Sequence, residues 1–94
     1  MKILFSTGCL FYLPVKDIFE LAGEAGFDGC ELVVNANFNQ PNYVDRVKEC
    51  LEILPVKSVH APFMKMASWG NKINSLMLTV DVARQLHADI VNFH

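Results

Sequence analysis

Three side chains of this sequence, Glu31, His60 and His94, combine reactive chemistry with regular spacing. Glu31 lies in the run Asp28-Gly29-Cys30-Glu31-Leu32-Val33-Val34, His60 closes Val56-Lys57-Ser58-Val59-His60, and His94 follows Asp89-Ile90-Val91-Asn92-Phe93. Each run reads as a short strand, apolar almost throughout, that ends on or near a polar residue. The intervals are 29 residues from Glu31 to His60 and 34 from His60 to His94, the length of one β-α unit each. Side chains alternate across a strand, so Val56, Ser58 and His60 are expected on one face and Lys57 and Val59 on the other. Ile90, Asn92 and His94 share a face by the same rule. Two imidazoles at adjacent strand ends suit a divalent metal, with Zn, Mn and Fe all compatible. One strand-end histidine alone is more often a hydrogen-bonding residue; two in equivalent places, with a carboxylate on a third strand, make a candidate site. Glu31 inside a barrel needs a partner, because an unpaired buried charge is costly.

The elements that position these residues follow from the pattern. Lys2 to Ser6 reads as a first strand. Pro14 suits the first turn of a helix on which Ile18, Leu21, Ala22 and Ala25 recur, and Gly26 stops it at the residue past its end. Asp28 to Val34 is the second strand. The polar stretch from Asn35 to Asn42, with four Asn and one Gln, is a loop. Val44, Val47, Leu51 and Leu54 mark one face of a second helix that Pro55 ends. Val56 to His60 is the third strand, and Ala61 to Gly70 is a loop carrying Phe63 and Trp69. Ile73, Leu76, Val80 and Ala83 give a third helix, and Asp89 to Phe93 a fourth strand. The order β-α-β-α-β-α-β, with strands apolar on both faces, means a parallel sheet. Either a doubly wound sheet or a (β/α)8 barrel fits it. The turn after the first strand has one glycine, Gly8, so a dinucleotide-binding fingerprint is absent.

Composition narrows the classes further. The chain has 94 residues, 52% hydrophobic and 19% charged, too apolar for a disordered segment. Eight Lys and Arg against ten Asp and Glu leave a formal charge of −2, which disfavours a binder that neutralises phosphates. Cys9, Cys30 and Cys50 form no C-x-x-C pair, arguing for reduced thiols and against a disulfide framework or a zinc knuckle. No stretch approaches a membrane span, and the apolar run Ile3-Leu4-Phe5 is too short for a signal peptide, so the expectation is a cytoplasmic protein. Phe63 and Trp69 either wall a substrate pocket or cap the barrel. The Asn-rich loop either binds sugar hydroxyls or is an ordinary turn. Cys9 has no base placed beside it and reads as a bystander. His87 falls where the third helix ends, a position that favours Gly or Asn, and reads as a surface residue.

Three motifs in register resemble the xylose-isomerase-like barrel superfamily: Gly26-Phe27-Asp28-Gly29-Cys30-Glu31-Leu32, Val59-His60-Ala61-Pro62-Phe63, and Ala88-Asp89-Ile90-Val91-Asn92-Phe93-His94. That superfamily contains sugar-phosphate isomerases and epimerases and the endonuclease IV type of abasic-site nuclease. The resemblance covers the whole chain. It implies an α/β fold, the N-terminal half of a (β/α)8 TIM barrel, as a single partial domain over residues 1–94. His60 and His94 match the family's third- and fourth-strand histidines, which in the nuclease branch are zinc ligands. Glu31 matches an inward-facing pocket glutamate, and with Phe63 and Trp69 completes the candidate substrate-binding set. The implied cofactor is a divalent metal, Mn, Zn, Mg or Co, and the implied substrate a sugar or sugar phosphate.

No catalytic acid or base is assigned within the chain, because the family draws that pair and most carboxylate ligands from its fifth to eighth strands. The expectation is therefore of a metal-dependent isomerase or epimerase whose 94 residues are incomplete and inactive alone. An endonuclease IV-like zinc phosphodiesterase and a non-catalytic half-barrel assembly module are the alternatives. Open sheet edges would drive pairing with another copy or with a missing C-terminal half. A membrane partner is not expected, and nucleic acid is disfavoured.

Overall fold

The computed structural model describes residues 2–62 and 72–93. Its elements are β1 (Leu4–Ser6), α1 (Val15–Glu24), β2 (Gly29–Val33), α2 (Tyr43–Cys50), β3 (Val56–His60), α3 (Lys72–Gln85) and β4 (Ile90–Asn92). The four strands are all parallel and lie in the order β1-β2-β3-β4. Short turns of tighter helix, Thr7–Leu10 and Ala36–Asn39, follow β1 and β2.

The helices are built from apolar stripes. Val15, Ile18, Phe19 and Ala22 are the buried face of α1, at spacings of three and four residues. On α2 the buried face is Tyr43, Val47 and Cys50, while Val44 and Leu51 are only half-buried. On α3 the buried residues are Thr79, Val82 and Ala83, with Leu86 just past its end; of the expected Ile73, Leu76, Val80 and Ala83 only Ala83 is buried, and Ile73 is 65% exposed. Thr79 enters this core because its hydroxyl donates to the Ser75 carbonyl one turn back, at 2.7 Å. A polar residue satisfied within its own helix is cheap to bury, and periodicity of apolar residues does not detect it.

These stripes meet one face of the sheet. A single core joins α1, α2 and α3 to Cys30, Leu32 and Val34 of the second strand segment and to Val56 and Val59 of β3. Burying a side chain such as Phe19, 1% exposed, stabilises the fold by roughly 1.5–3 kcal/mol. The opposite face carries Leu4, Ser6, Glu31, Ser58, His60, Ile90 and Asn92 by register. It has no helix layer among the described residues: Leu4 is 39% and Ile90 54% exposed. A doubly wound sheet reverses its strand order and carries helices on both faces. Sequential order with helices on one face is the half-barrel arrangement instead, and the open face corresponds to a barrel interior.

The expected alternation fails at one place in β3. Cys30 pairs with Val56 and Glu31 with Ser58, so Lys57 is an extra residue, a β-bulge. The bulge sends Val56 to the helix side, where it is 2% exposed, while Ser58 and His60 keep the inner face. The expected grouping of Val56 with Ser58 and His60 is thus corrected. Gly29 makes room beside the bulge: a Cβ there would lie 2.9 Å from Lys57 Cγ and 3.1 Å from the Pro55 carbonyl oxygen.

Candidate functional site

Glu31, Ser58 and Asn92 meet on the inner face. Ser58 Oγ donates to Glu31 Oε2 at 2.8 Å, and Asn92 Nδ2 donates to the same oxygen at 2.8 Å. The carboxyl is half-buried, and these two bonds tie β2, β3 and β4 together across the face. They satisfy the requirement that a carboxylate at this depth have partners. A carboxylate oxygen accepts only, so the Asn92 amide is fixed with nitrogen toward Glu31 and Oδ1 away from it. Glu31 Oε1 has no hydrogen-bond partner among the described residues, and no unpartnered side-chain oxygen there is buried, so Oε1 is open to the interior.

His60 sits one pleat repeat nearer the strand ends, opposite Val33 and Asn92, roughly 6.6 Å along the strands from the Glu31 level. It is buried, and its Nδ1 faces the Ala61 carbonyl oxygen. A carbonyl can only accept, so Nδ1 carries a proton. That is the usual arrangement for an imidazole that ligates a metal through Nε2 with its other nitrogen held by backbone. The strand ends that carry these residues are closely tied. Thr7 Oγ1 accepts from Val33 N at 3.0 Å, Val34 N donates to His60 O at 3.0 Å, and Ala61 N donates to Asn92 O at 2.9 Å.

Of the residues singled out in the sequence, Glu31 and His60 are brought to one face of adjacent strands. Phe63, Trp69 and His94 lie outside the described residues. Among the described residues no group of three or more His, Cys, Asp and Glu side chains converges. His60 nevertheless has its Nδ1 held by the Ala61 carbonyl, the backbone contact that metal-ligating imidazoles make. Ser58 and Asn92 were legible only as polar exceptions on the inner face of their strands. Their shared bond to Glu31 depends on the bulge, which no sequence pattern announces.

The Asn-rich loop is used for architecture. Asn35 Oδ1 accepts from Asn37 N at 2.9 Å, and Asn37 Nδ2 donates to the Phe11 carbonyl at 3.1 Å, joining the loops after β1 and β2. A groove of about 980 Å³ lies outside the inner face, between Phe11, Tyr12, Tyr43 and Arg46. Arg46 there donates to Gln40 at 2.7 Å and stacks over Tyr43, 5.5 Å from the ring centre. The groove contains neither Glu31 nor His60, and strand-end chemistry rather than groove size locates the candidate site. Cys9 is exposed, with its thiol directed at the Ser6 carbonyl, while Cys30 and Cys50 are buried. Burial pushes the Cys30 thiol up to about 12, aided by neighbouring Cys50, so neither chemistry nor access suits it as a nucleophile.

The crystal structure of an AP endonuclease, family 2, from Brucella melitensis matches 97% of this chain and 40% of its own, with a TM-score of 0.65 at 18% identity. This chain shares the fold of part of that protein, a half-barrel of parallel strands and helices. In this half-barrel the inner face with Glu31 and His60 corresponds to the interior, and the strand ends to the mouth. Uncharacterized proteins of Mycobacterium leprae and Mycobacterium tuberculosis are each 34% identical over 99 residues, covering 100% of this chain and 35% of theirs. The chain thus spans about a third of the length of the curated relatives it matches. No protein-family model matches it. No helix among the described residues is long and apolar enough to cross a membrane.

Proposed function

We propose that this chain supplies the first four strands of a metal-dependent isomerase or epimerase acting on a sugar or sugar phosphate. The observation that carries the reading is the placement of Glu31 and His60 on the inner face of adjacent parallel strands, near their carboxyl ends. Groups at that end of a barrel surround the substrate. His60, through Nε2, and His94 are the residues of this chain that would hold the divalent metal. When bound, that metal supplies Lewis acidity at a substrate carbonyl. Glu31 accepts a substrate hydroxyl and orients it, and Ser58 and Asn92 keep Glu31 in place. The acid/base pair that moves the proton next to the carbonyl belongs to further strands.

A second reading is favoured by the likeness to a protein titled AP endonuclease: a zinc phosphodiesterase acting on abasic DNA. Glu31 weighs against it, since a carboxylate exposed on the inner face repels a phosphodiester. Assay of the whole protein that carries this chain separates the two. Interconversion of ketose and aldose dependent on added Mn or Co, lost in His60→Ala, supports the first reading; nicking of an abasic-site duplex without sugar turnover replaces it with the second.

The open inner face needs cover. The exposed Leu4 and Ile90 support a partner there, either a second copy of the chain or the remaining strands of the barrel. If a second copy covers it and neither activity is found, the chain is an assembly module.

A further inference from the structure

We propose that the groove between α1 and α2 is a second binding site, for a small aromatic monocarboxylate: a flat ring against Phe11 and Tyr12, and a carboxylate on Arg46. It lies on the helix side of the sheet, away from Glu31 and His60, and its support does not depend on the sugar reading. At about 980 Å³ it is within the size range of small-ligand sites. Arg46 is held in place there. One of its five N–H donors goes to Gln40 Oε1 at 2.7 Å, and its guanidinium lies over the Tyr43 ring, 5.5 Å from the centre. It forms no ion pair among the described residues. A guanidinium fixed in this way has given up rotamer freedom before any ligand arrives, and its planar fork matches a carboxylate.

The aromatic wall is anchored as well. Phe11 and Tyr12 are 58% and 69% exposed, so most of their apolar surface is uncovered. They meet edge to face, ring centres 5.9 Å apart, and Asn37 Nδ2 donates to the Phe11 carbonyl at 3.1 Å. Two exposed rings tied to the neighbouring loop form a platform for a third. Charge sets the class of the anion. Lys16 and Arg46 stand against Glu20, Glu49 and Glu52 along the groove, an excess of one carboxylate. Glu20 is engaged with Lys16 at 3.8 Å, while Glu49 follows Arg46 by three residues, roughly 4.5 Å along the axis. A phosphate dianion on Arg46 would meet that carboxylate with twice the charge of a carboxylate ligand, so a monoanion is the better fit. A cation is disfavoured because the charge held by both a stack and a hydrogen bond, Arg46, is positive.

The experiment is an NMR titration of the isotopically labelled protein with phenylacetate and, separately, with acetate, phenylacetamide, phenyl phosphate and benzylamine, each at concentrations on the order of 0.1–10 mM. Phenylacetate should move the Arg46 Nε–H and Asn37 side-chain amide signals saturably. Acetate lacks the ring and phenylacetamide lacks the charge, so each should bind at least about tenfold more weakly. Arg46→Gln should weaken phenylacetate binding about tenfold, and Tyr12→Ala about threefold or more. Both side chains are exposed, so the rest of the spectrum should stay as it is. The inference is overturned if phenylacetate gives no saturable shift, if acetate or phenylacetamide matches it, or if folded Arg46→Gln or Tyr12→Ala binds it unchanged. Phenyl phosphate or benzylamine binding more tightly than phenylacetate overturns the assignment of a monoanion.

Discussion

His87 does at the end of α3 what Gly26 does at the end of α1. Both residues have a left-handed backbone, φ 57° at His87 and φ 89° at Gly26. Both close their helix with the same pair of bonds: Phe27 N to Ala22 O and Gly26 N to Gly23 O in one, Ala88 N to Ala83 O and His87 N to Arg84 O in the other. Each then leads through an aspartate, Asp28 or Asp89, into the next strand. Glycine holds this conformation without strain, whereas a side chain does not. His87→Gly should therefore raise stability by about 0.5–1 kcal/mol, and Gly26→Ala should lower it by a similar amount. Urea denaturation of the two variants checks both signs.

Gly29 predicts a second, larger loss. In Gly29→Ala the new methyl would press on the Pro55 carbonyl, 3.1 Å away, and on the flexible Lys57 stem. The lysine can move, but the backbone oxygen is held by Cys30 N at 2.9 Å. A cost of about 1–3 kcal/mol is expected. A Tm equal to that of the unsubstituted chain would show that the bulge shifts freely.

The Glu31 cross-link predicts graded losses. Ser58→Ala removes one of two donors to Oε2 and should cost about 0.5–1.5 kcal/mol. Glu31→Ala leaves Ser58 and Asn92 without their common acceptor and should cost more than either Ser58→Ala or Glu31→Gln. Thermal unfolding of the three variants ranks them.

The thiols predict both reactivity and a pH limit. Cys9, the exposed one, should react with a disulfide reagent in the native state, whereas Cys30 and Cys50 should react only on unfolding. Burial pushes the Cys30 thiol from an ordinary 9.0 up to about 12 in the folded chain. The folded form thus holds its proton where the unfolded chain has lost it. This contribution to stability is complete below pH 9 and falls as pH rises from 9 to about 12, by up to about 1.4 kcal/mol per unit. Cys30→Ser, or Cys30→Ala if the hydroxyl proves too polar for the core, should flatten that part of the pH–stability curve.

The open face predicts self-association if a second copy covers it. Ile90, 54% exposed on the last described strand, is the most direct probe. Light scattering at protein concentrations on the order of tens of micromolar should find dimers or larger species, and Ile90→Lys should shift them toward monomer. A monomer throughout would assign the cover to further strands.

Much of this was legible in the sequence because parallel strands are nearly all apolar. Glu31, Ser58, His60 and Asn92 stand out against that background, and strict alternation assigns most of them to one face. The helix ends were equally plain at Gly26 and, through the same spacing, at His87. Two features were not legible. The buried face of α3 runs through Thr79, whose hydroxyl is satisfied inside the helix, so an apolar template lands on Ile73 instead. The bulge at Lys57 is fixed by pairing to β2 and by the missing side chain of Gly29, which are tertiary facts. The Glu31 network inherits that limitation, since its register rests on the bulge.

That bulge has a consequence for how the strand tolerates change. Val56 and Val59 are an odd number of residues apart, and a regular strand could not send both into the helix-side core. With one residue set out of phase, the lower part of β3 follows the core and the upper part follows the interior, each with its own parity. Deleting Lys57 would force a choice between burying Val56 and aiming Ser58 and His60 inward. Substitutions that keep the extra residue leave the two halves of the strand free to vary separately.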